Sequence, residues 1–434
     1  MNKSIWWDGV SRPGFPTLKG NAKTEVLIIG GGITGVLTAY MLHKQGVPYI
    51  LVEKDRVFGG VSGNTTAKIT AQHGLIYHKL IKSGSEVAKK YLHANTLALN
   101  EYKKLCPSAE CDFEVQDNFV YTDDPRLLER EISALSKIDA NARFTKDIPL
   151  PVSPAGAVCF ENQAQFHPLK FFLPLAARLN IYENTRVTET ADGVAHTEYG
   201  EVKANTIIVA THFPFINKHG SYFLKLYQHR SYVIALKNAP PLTGMYVDND
   251  LKGLSFRSHN GMLLLGGGGH RTGKSGGNFL ELRKFAKNNY RDADIVCQWA
   301  AQDCESLDGI PYIGEYSSRT KGLLVASGFN KWGMTSAMVA AMLLCDKVLR
   351  RQNDFADIFS PSRSIIKPQL ILNGFESTAG LLTPRAKRCP HLGCALKWNG
   401  AEHSWDCPCH GSRFTADGKV LDGPANGDIK SFKK

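Results

Sequence analysis

The chain has no run of about 20 apolar residues, the length a helix needs to cross a bilayer. Its longest apolar helical stretch, roughly 334–344, is about half that, so no membrane span is expected. A dense basic run is also missing. The formal net charge is +12, but lysines and arginines are spread along all 434 residues, which argues against nucleic acid and for a solvated basic surface that suits an acidic partner. Residues 1–23 carry Trp6 and Trp7 but no basic region followed by an apolar run. No secretory signal is read there, and a cytoplasmic protein is expected. Internal repeats and low-complexity tracts are absent too. Cysteine, by contrast, is present ten times but unevenly: four lie within 389–409, while Cys106, Cys111, Cys159, Cys297, Cys304 and Cys345 are scattered. That distribution is not a disulfide framework. With 43% hydrophobic residues, the chain can bury one large core plus a small appendage.

Near the N-terminus, Thr24 to Asp55 reads as strand, glycine turn, helix, strand. Val26-Leu27-Ile28-Ile29 leads into Gly30-Gly31-Gly32-Ile33-Thr34-Gly35, an apolar-periodic helix to Lys44, and Tyr49 to Val52 ending at Glu53 and Lys54. Gly30 permits the tight turn, Gly32 lets the backbone approach a pyrophosphate, and Gly35 allows close helix packing. The helix N-terminus favours phosphate charge, and Glu53 is placed to accept hydrogen bonds from a ribose. A second glycine run, Gly266 to Gly269, lacks a following apolar helix and a ribose acid. It reads as a turn, and a nicotinamide cofactor is not expected.

Phe58-Gly59-Gly60-Val61-Ser62-Gly63-Asn64-Thr65-Thr66 resembles the Gly-Gly-x-Ser-Gly stretch of the D-amino-acid-oxidase and glycine-oxidase superfamily. Further matches follow in order: Phe166-His167-Pro168 opening a helix, Thr206 to Thr211 as a returning strand, Asp308-Gly309-Ile310-Pro311-Tyr312-Ile313-Gly314, and Gly328 to Thr335 leading into an apolar helix. The resemblance covers about residues 20 to 350 and implies FAD. The implied contacts are Gly30, Gly32, Ile33, Thr34, Gly35, Glu53, Lys54, Gly60, Ser62, Thr65, Thr66 and Ala210, with Gly333, Met334 and Thr335 against the isoalloxazine.

At the other end, Cys389-Pro390-His391-Leu392-Gly393-Cys394 and Cys407-Pro408-Cys409-His410-Gly411-Ser412 offer two thiolates and two imidazoles, with 15 residues between His391 and Cys407. The pattern is similar to a Rieske [2Fe-2S] site, in which two cysteines hold one iron and two histidines the other. Cys389, His391, Cys407 and His410 are the expected ligands, with the cluster at a protein tip. A structural zinc site and a plain disulfide pair are the competing readings. Neither accounts for the Leu-Gly and Gly-Ser flanks. The resemblance to the bc-complex class implies a Cys394–Cys409 disulfide, a Ser412 hydrogen bond toward the cluster, and a covering loop at Gly423-Pro424-Ala425. Phe414 stands where high-potential members carry a tyrosine. Trp398 and Trp405 are read as filling between the loops.

The expected architecture is an α/β (α+β) FAD-binding Rossmann-like domain with an interleaved antiparallel-sheet substrate domain, plus a small all-β Rieske domain. Residues 1–358 form the oxidoreductase module, 359–384 a linker or docking segment, and 385–434 a Rieske domain truncated relative to its family. A unit this small needs its metal and its docking to fold.

The superfamily's chemistry is C–N dehydrogenation. Its amino-acid oxidases place an arginine just upstream of the Asp-Gly-x-Pro segment, where this chain has Asp303. An acid there attracts a cation, so an amine or amino-acid-like substrate is expected, with Arg257 as an alternative carboxylate anchor. His73 and His212 fall where backbone motifs approach the flavin and are candidates to tune its charge or act as a base. Cys304 reads as a buried thiol beside a noncovalent flavin. The whole resembles bacterial FAD-dependent oxidoreductases fused to a Rieske domain, passing electrons through the cluster to an external acceptor. An electron-relay or redox-sensing protein without its own substrate is the rival.

Overall fold

The computed structural model describes residues 3–106, 111–384 and 386–430. Strand Ala22–Ile29 becomes wholly buried over its second half, as a strand in the middle of a parallel sheet must. It pairs in parallel with Tyr49–Val52 on one side and Gly200–Val209 on the other. Leu323–Ser327 and Ile181–Tyr182 extend the parallel sheet outward, and Tyr312–Glu315 closes one edge antiparallel. Helix Ile33–Lys44, opened by the glycine turn, packs against helix Gly333–Val348. Both are apolar on nearly every face, so both lie inside the core.

A second, nine-stranded sheet is antiparallel except where Met245–Asp248 runs parallel to Glu114–Thr122. Its longest pairing joins Leu226–Lys237 to Asp294–Ser306. The Gly266–Gly269 run does not turn: it lies within strand Met262–Arg271, with Gly266 paired on both sides, Gly267 on one, and a register shift opposite Gly268 and Gly269. The reason is packing. A Cβ on Gly268 would come within 2.4 Å of the Asn278 backbone, so glycine lets helix Asn278–Asn289 press onto the sheet.

The third sheet is a four-stranded antiparallel meander of Lys397–Asn399, Ser404–Asp406, Arg413–Thr415 and Val420–Asp422. Trp398 does not fill the space between the loops; it is 46% exposed and tilted over Trp405. Between the large sheets and this meander runs helix Pro368–Leu382. Its Asn373 donates to the Leu224 carbonyl and accepts from Arg271. Gly380 lies so close to Cys409 that a Cβ would sit 2.7 Å from the sulfur.

At the N-terminus, Trp6 is fully buried, and its Nε1 donates to the Thr65 carbonyl at 2.7 Å. The tryptophan thus holds the loop that follows Gly60. Two cysteines read as scattered, Cys106 and Cys111, are paired as a disulfide. Cys106 ends helix Ser85–Leu105, and Cys111 lies just before strand Glu114–Thr122, so the chain order itself brings them together.

Candidate active site and metal centre

A cavity of about 1650 Å³ runs from the glycine turn to the loops of the third sheet. Gly30 has φ +115°, and a Cβ there would lie 2.5 Å from the Ala210 carbonyl of the returning strand. A Cβ on Gly35 would meet the Gly30 carbonyl at 2.0 Å, so the helix is pressed directly onto the turn. The helix begins at Gly32 with no side-chain cap. The Ile33 amide donates to Ser62 Oγ at 3.1 Å, which ties the second glycine loop to the helix start. Glu53 accepts from the Gly31 amide at 2.7 Å and from the Asp55 amide at 3.0 Å, and burial raises its pKa. A helix start that opens on glycine, a glycine turn and a strand-end acid on one cavity wall fit a dinucleotide. Of the residues expected around the cofactor, all but Gly35 and Thr335 line the cavity. Gly35 serves the packing beneath it.

Thr335 points elsewhere for a definite reason. Its hydroxyl lies 2.7 Å from His73 Nε2 and 3.0 Å from the Thr70 carbonyl, while His73 Nδ1 is 2.7 Å from the Tyr91 hydroxyl. An Nε2-protonated ring satisfies all of these contacts. His73 also stacks on Trp332, at 5.3 Å between ring centroids. Burial pushes its pKa down to about 3, so the ring stays neutral and has no nitrogen to spare for a base. It fixes the start of helix Gly333–Val348, which carries Gly333 and Met334 on the cavity wall.

His212 keeps a different position. It lines the cavity with φ +67°, and its buried Nε2 has no hydrogen-bond partner. Burial lowers its pKa while the neighbouring Asp303 charge raises it. Asp303 lies on strand Asp294–Ser306, and Glu305, two residues on, shares its face of the strand. Both line the cavity. Glu305 Oε1 is buried without a partner, and desolvation pushes the carboxyl up to about 7. Strand alternation from Asp303 is the signal that would have found Glu305.

Arg257 does not take the expected place. It is fully buried and off the cavity wall, donating to the Thr66 and Ala67 carbonyls at 2.7 and 3.0 Å with its guanidinium 5.4 Å from the Trp6 ring. Its Nη1 is spent on the backbone of the flavin loop, and its unpartnered Nε is buried away from the cavity, so neither is presented to a substrate carboxylate. Lys68 is a buried cation that does line the cavity: its Nζ donates to Ser255 Oγ at 2.7 Å, and its pKa falls to about 7 through burial and the Arg257 charge. Lys68 sits in a two-residue strand with no motif around it, so nothing in the sequence marked it. Cys304 is buried off the cavity wall, 3.5 Å from Ser327 Oγ, and burial pushes its thiol up to about 12.

In the third sheet's loops, Cys389 and Cys407 are buried free thiols. His391 Nδ1 and both His410 nitrogens are buried without partners, and the two rings lie 4.9 Å apart. Buried imidazoles with orphaned nitrogens beside two unpaired thiols fit a cluster that takes those atoms as ligands. Cys394 and Cys409 form a disulfide. The close trio Cys394, Cys407 and Cys409 therefore contains two oxidised sulfurs and is not a thiolate set. Ser412 Oγ accepts from the Ala425 amide at 3.0 Å and lies against Cys389, and the Gly423–Pro424 bond is cis.

The histidine edge is not at a protein tip. His410 is 2% exposed, because its loop is pressed onto the large module. Gln228 donates to the His410 carbonyl and Gln302 to the Gly411 carbonyl, each at 2.8 Å. Arg271 donates to the Pro408 and Cys409 carbonyls at 3.0 and 3.1 Å, and His391 Nε2 bonds Asn217 Oδ1 at 2.8 Å. The Phe213 ring lies 6.4 Å from His391 and 6.3 Å from His410 and also forms part of the cavity wall. None of these docking residues stands in a recognisable motif.

Fold and sites together define a flavoprotein oxidoreductase carrying a Rieske centre. The family described as "FAD dependent oxidoreductase" (DAO) matches residues 25–347, and the "Rieske [2Fe-2S] domain" family matches residues 375–433. The chain belongs to the DAO family of FAD-dependent oxidoreductases, with a C-terminal Rieske domain, and its cofactors are FAD and a [2Fe-2S] cluster. It is 34% identical to the "Putative Rieske 2Fe-2S iron-sulfur protein YhfW" of Bacillus subtilis (strain 168), over 100% of this chain and 97% of that protein. A 37-residue stretch is 60% identical to the cytochrome b6-f complex iron-sulfur subunit 1 of Nostoc sp., covering 8% of this chain and 21% of the subunit. Among solved structures, glycine oxidase from Geobacillus kaustophilus superposes with TM-score 0.66 at 21% identity, over 79% of this chain and 99% of that one. L-amino acid deaminase from Proteus vulgaris does so with TM-score 0.63 at 18% identity, over 83% and 98%. These likenesses show the fold.

Proposed function

We propose that this oxidoreductase dehydrogenates the C–N bond of an amine or amino-acid-like substrate and hands the electrons through its Rieske centre to an external acceptor. The observation that carries the reading is the shared wall: Phe213 lines the cavity and stands beside both cluster histidines. FAD can take a hydride as a two-electron unit, whereas a [2Fe-2S] cluster takes one electron at a time. The glycine turn, Glu53 and the Gly60–Thr66 loop would hold FAD, and Cys389, Cys407, His391 and His410 would hold the cluster. Asp303 and Glu305 would bind a substrate ammonium, with Glu305 Oε1 accepting the proton that the amine loses. Lys68, rather than Arg257, would face a substrate carboxylate. The structural neighbours, a glycine oxidase and an L-amino acid deaminase, support this substrate class.

The test is anaerobic mixing of the holoprotein with a panel of amines and N-methyl amino acids, following flavin absorbance and the reduced-Rieske EPR signal together. Bleaching by an amine with the cluster signal appearing is expected. A flavin left oxidised by the whole panel, with fast electron exchange with a ferredoxin, would move the assignment to a relay. Because the Glu305 carboxyl sits at about 7, it ionises as pH rises through that value, and kcat/KM should rise with it. Glu305→Gln should flatten this acid limb and raise KM.

A further inference from the structure

Arg271 ends strand Met262–Arg271 of the large module, yet its side chain serves the cluster unit. Its Nε donates to the Pro408 carbonyl at 3.0 Å and its Nη2 to the Cys409 carbonyl at 3.1 Å, while Nη1 donates to Asn373 Oδ1 at 3.0 Å. These three acceptors and the Tyr227 ring, 5.0 Å from the guanidinium, hold the half-buried group in one place. The turn that follows is fitted to the same loop: a Cβ on Gly273 would lie 2.6 Å from the Pro408 nitrogen. Each of the two carbonyls belongs to a peptide unit whose other end faces the metal site. The Pro408 carbonyl shares its peptide with the Cys409 amide, and the Cys409 carbonyl shares its peptide with the His410 amide. Both amides donate toward the Cys407 sulfur. Guanidinium, peptide groups and ligand sulfur therefore form hydrogen-bonded chains that all point one way.

We propose that Arg271 acts through these two peptides, as a positioning residue of the neighbouring module, to raise the reduction potential of the [2Fe-2S] centre. Reduction adds one negative charge to the cluster, and a fixed cation nearby favours the more negative state. The hydrogen bonds work in the same direction. A donor on the carbonyl side of a peptide polarises its N–H, and stronger N–H bonds to a ligand sulfur stabilise the reduced form. Glu376, a carboxylate that faces Arg271, is already paired with Lys274 at 2.7 Å, so the guanidinium charge is not cancelled. Phe414 has no hydroxyl to offer a sulfur, and Arg271 compensates from the large module. Docking beside the flavin cavity thus makes the cluster a better acceptor for one electron from the reduced flavin. The assignment holds for whichever substrate reduces that flavin.

Redox titration of the full-length holoprotein, followed by the reduced-Rieske EPR signal at one pH and ionic strength, tests this role. Arg271→Met should lower the midpoint potential. Arg271→Lys, which keeps the charge but not the fork that spans two carbonyls, should recover part of the loss. Gln302→Leu removes a docking hydrogen bond to the same loop, at the Gly411 carbonyl, without removing a charge, and its potential should stay near that of the native chain. That pair separates the effect of Arg271 from mere attachment of the loop. Should Arg271→Met lose its iron, Arg271→Gln is the milder neutral variant and should also lower the potential. A native potential in the neutral variants, no recovery in Arg271→Lys, or an equal fall in Gln302→Leu would overturn the proposal. Loss of iron from both neutral variants would overturn it as well, since Arg271 would then hold the loop rather than tune the cluster.

Discussion

The dinucleotide sheet and the cluster meander are held together by different forces. The first sits in a core of dozens of aliphatic and aromatic side chains, with Val26, Ile28, Val36, Leu37 and Leu51 at zero exposure. The second has a core of seven residues, four of them cysteines. In place of apolar bulk it has Arg413, 5% exposed, bound at about 3 Å to Asp406, Asp422 and Glu402. Glu402 in turn pairs with Arg230 of the large module. One region is stabilised chiefly by apolar burial; the other relies on ligands, a disulfide and charge pairs that tie it to its neighbour.

The sharpest way to break this comparison is Cys407→Ser. Iron should be lost completely and residues 386–430 should become protease-sensitive within the full chain, while the flavin half keeps its absorbance and its melting transition. A protease-resistant meander without iron would contradict the contrast. Gly35→Ala attacks the other region: with a Cβ 2.0 Å from the Gly30 carbonyl, it should cost at least about 3 kcal/mol and lower the flavin-to-protein ratio, leaving the Rieske EPR signal in place.

Arg413→Met comes next. It leaves buried carboxylates uncompensated and should cost on the order of 3–5 kcal/mol, read by urea unfolding followed at the cluster's visible circular dichroism. The pH dependence has a definite sign. Burial would push Glu402 up, but Arg230 and Arg413 hold it down at about 2. Its contribution is therefore full above its ordinary value of 4.5 and is lost as pH falls toward about 2. Urea midpoints of the cluster signal should drop across that window in the native chain and much less in Arg413→Met. The smallest effect is expected from Phe414→Tyr. Phe414 is fully buried in the meander, and a hydroxyl reaching a ligand sulfur should raise the cluster's midpoint potential, measured by protein-film voltammetry. An unchanged or lower potential would show that the hydroxyl does not reach it.

Much of both sites was legible because their chemistry is written in contiguous motifs. The Gly30–Gly35 turn, Glu53 and the Gly60–Thr66 loop line the cavity where the strand–turn–helix pattern put them. For His73 and Arg257 the sequence shows a residue near a motif but not how its polar atoms are spent. Tyr91 and Thr335 occupy the histidine, and the Thr66 and Ala67 carbonyls occupy the arginine. Gly266–Gly269 was misread as a turn for a related reason: the helix that needs those glycines packs across the sheet, out of sight of local pattern.

By itself, the sequence determined the cofactor-binding chemistry, since glycine turns and Cys-x-His loops work through atoms a few residues apart, whose geometry the covalent chain limits. Only the tertiary structure decided that Glu305 and Lys68 join Asp303 on one cavity wall, that Phe213 stands between that cavity and the cluster histidines, and that Arg271 reaches the second cluster loop. Those placements depend on contacts between strands and loops far apart in the chain, where burial and docking, not local pattern, choose which face is covered.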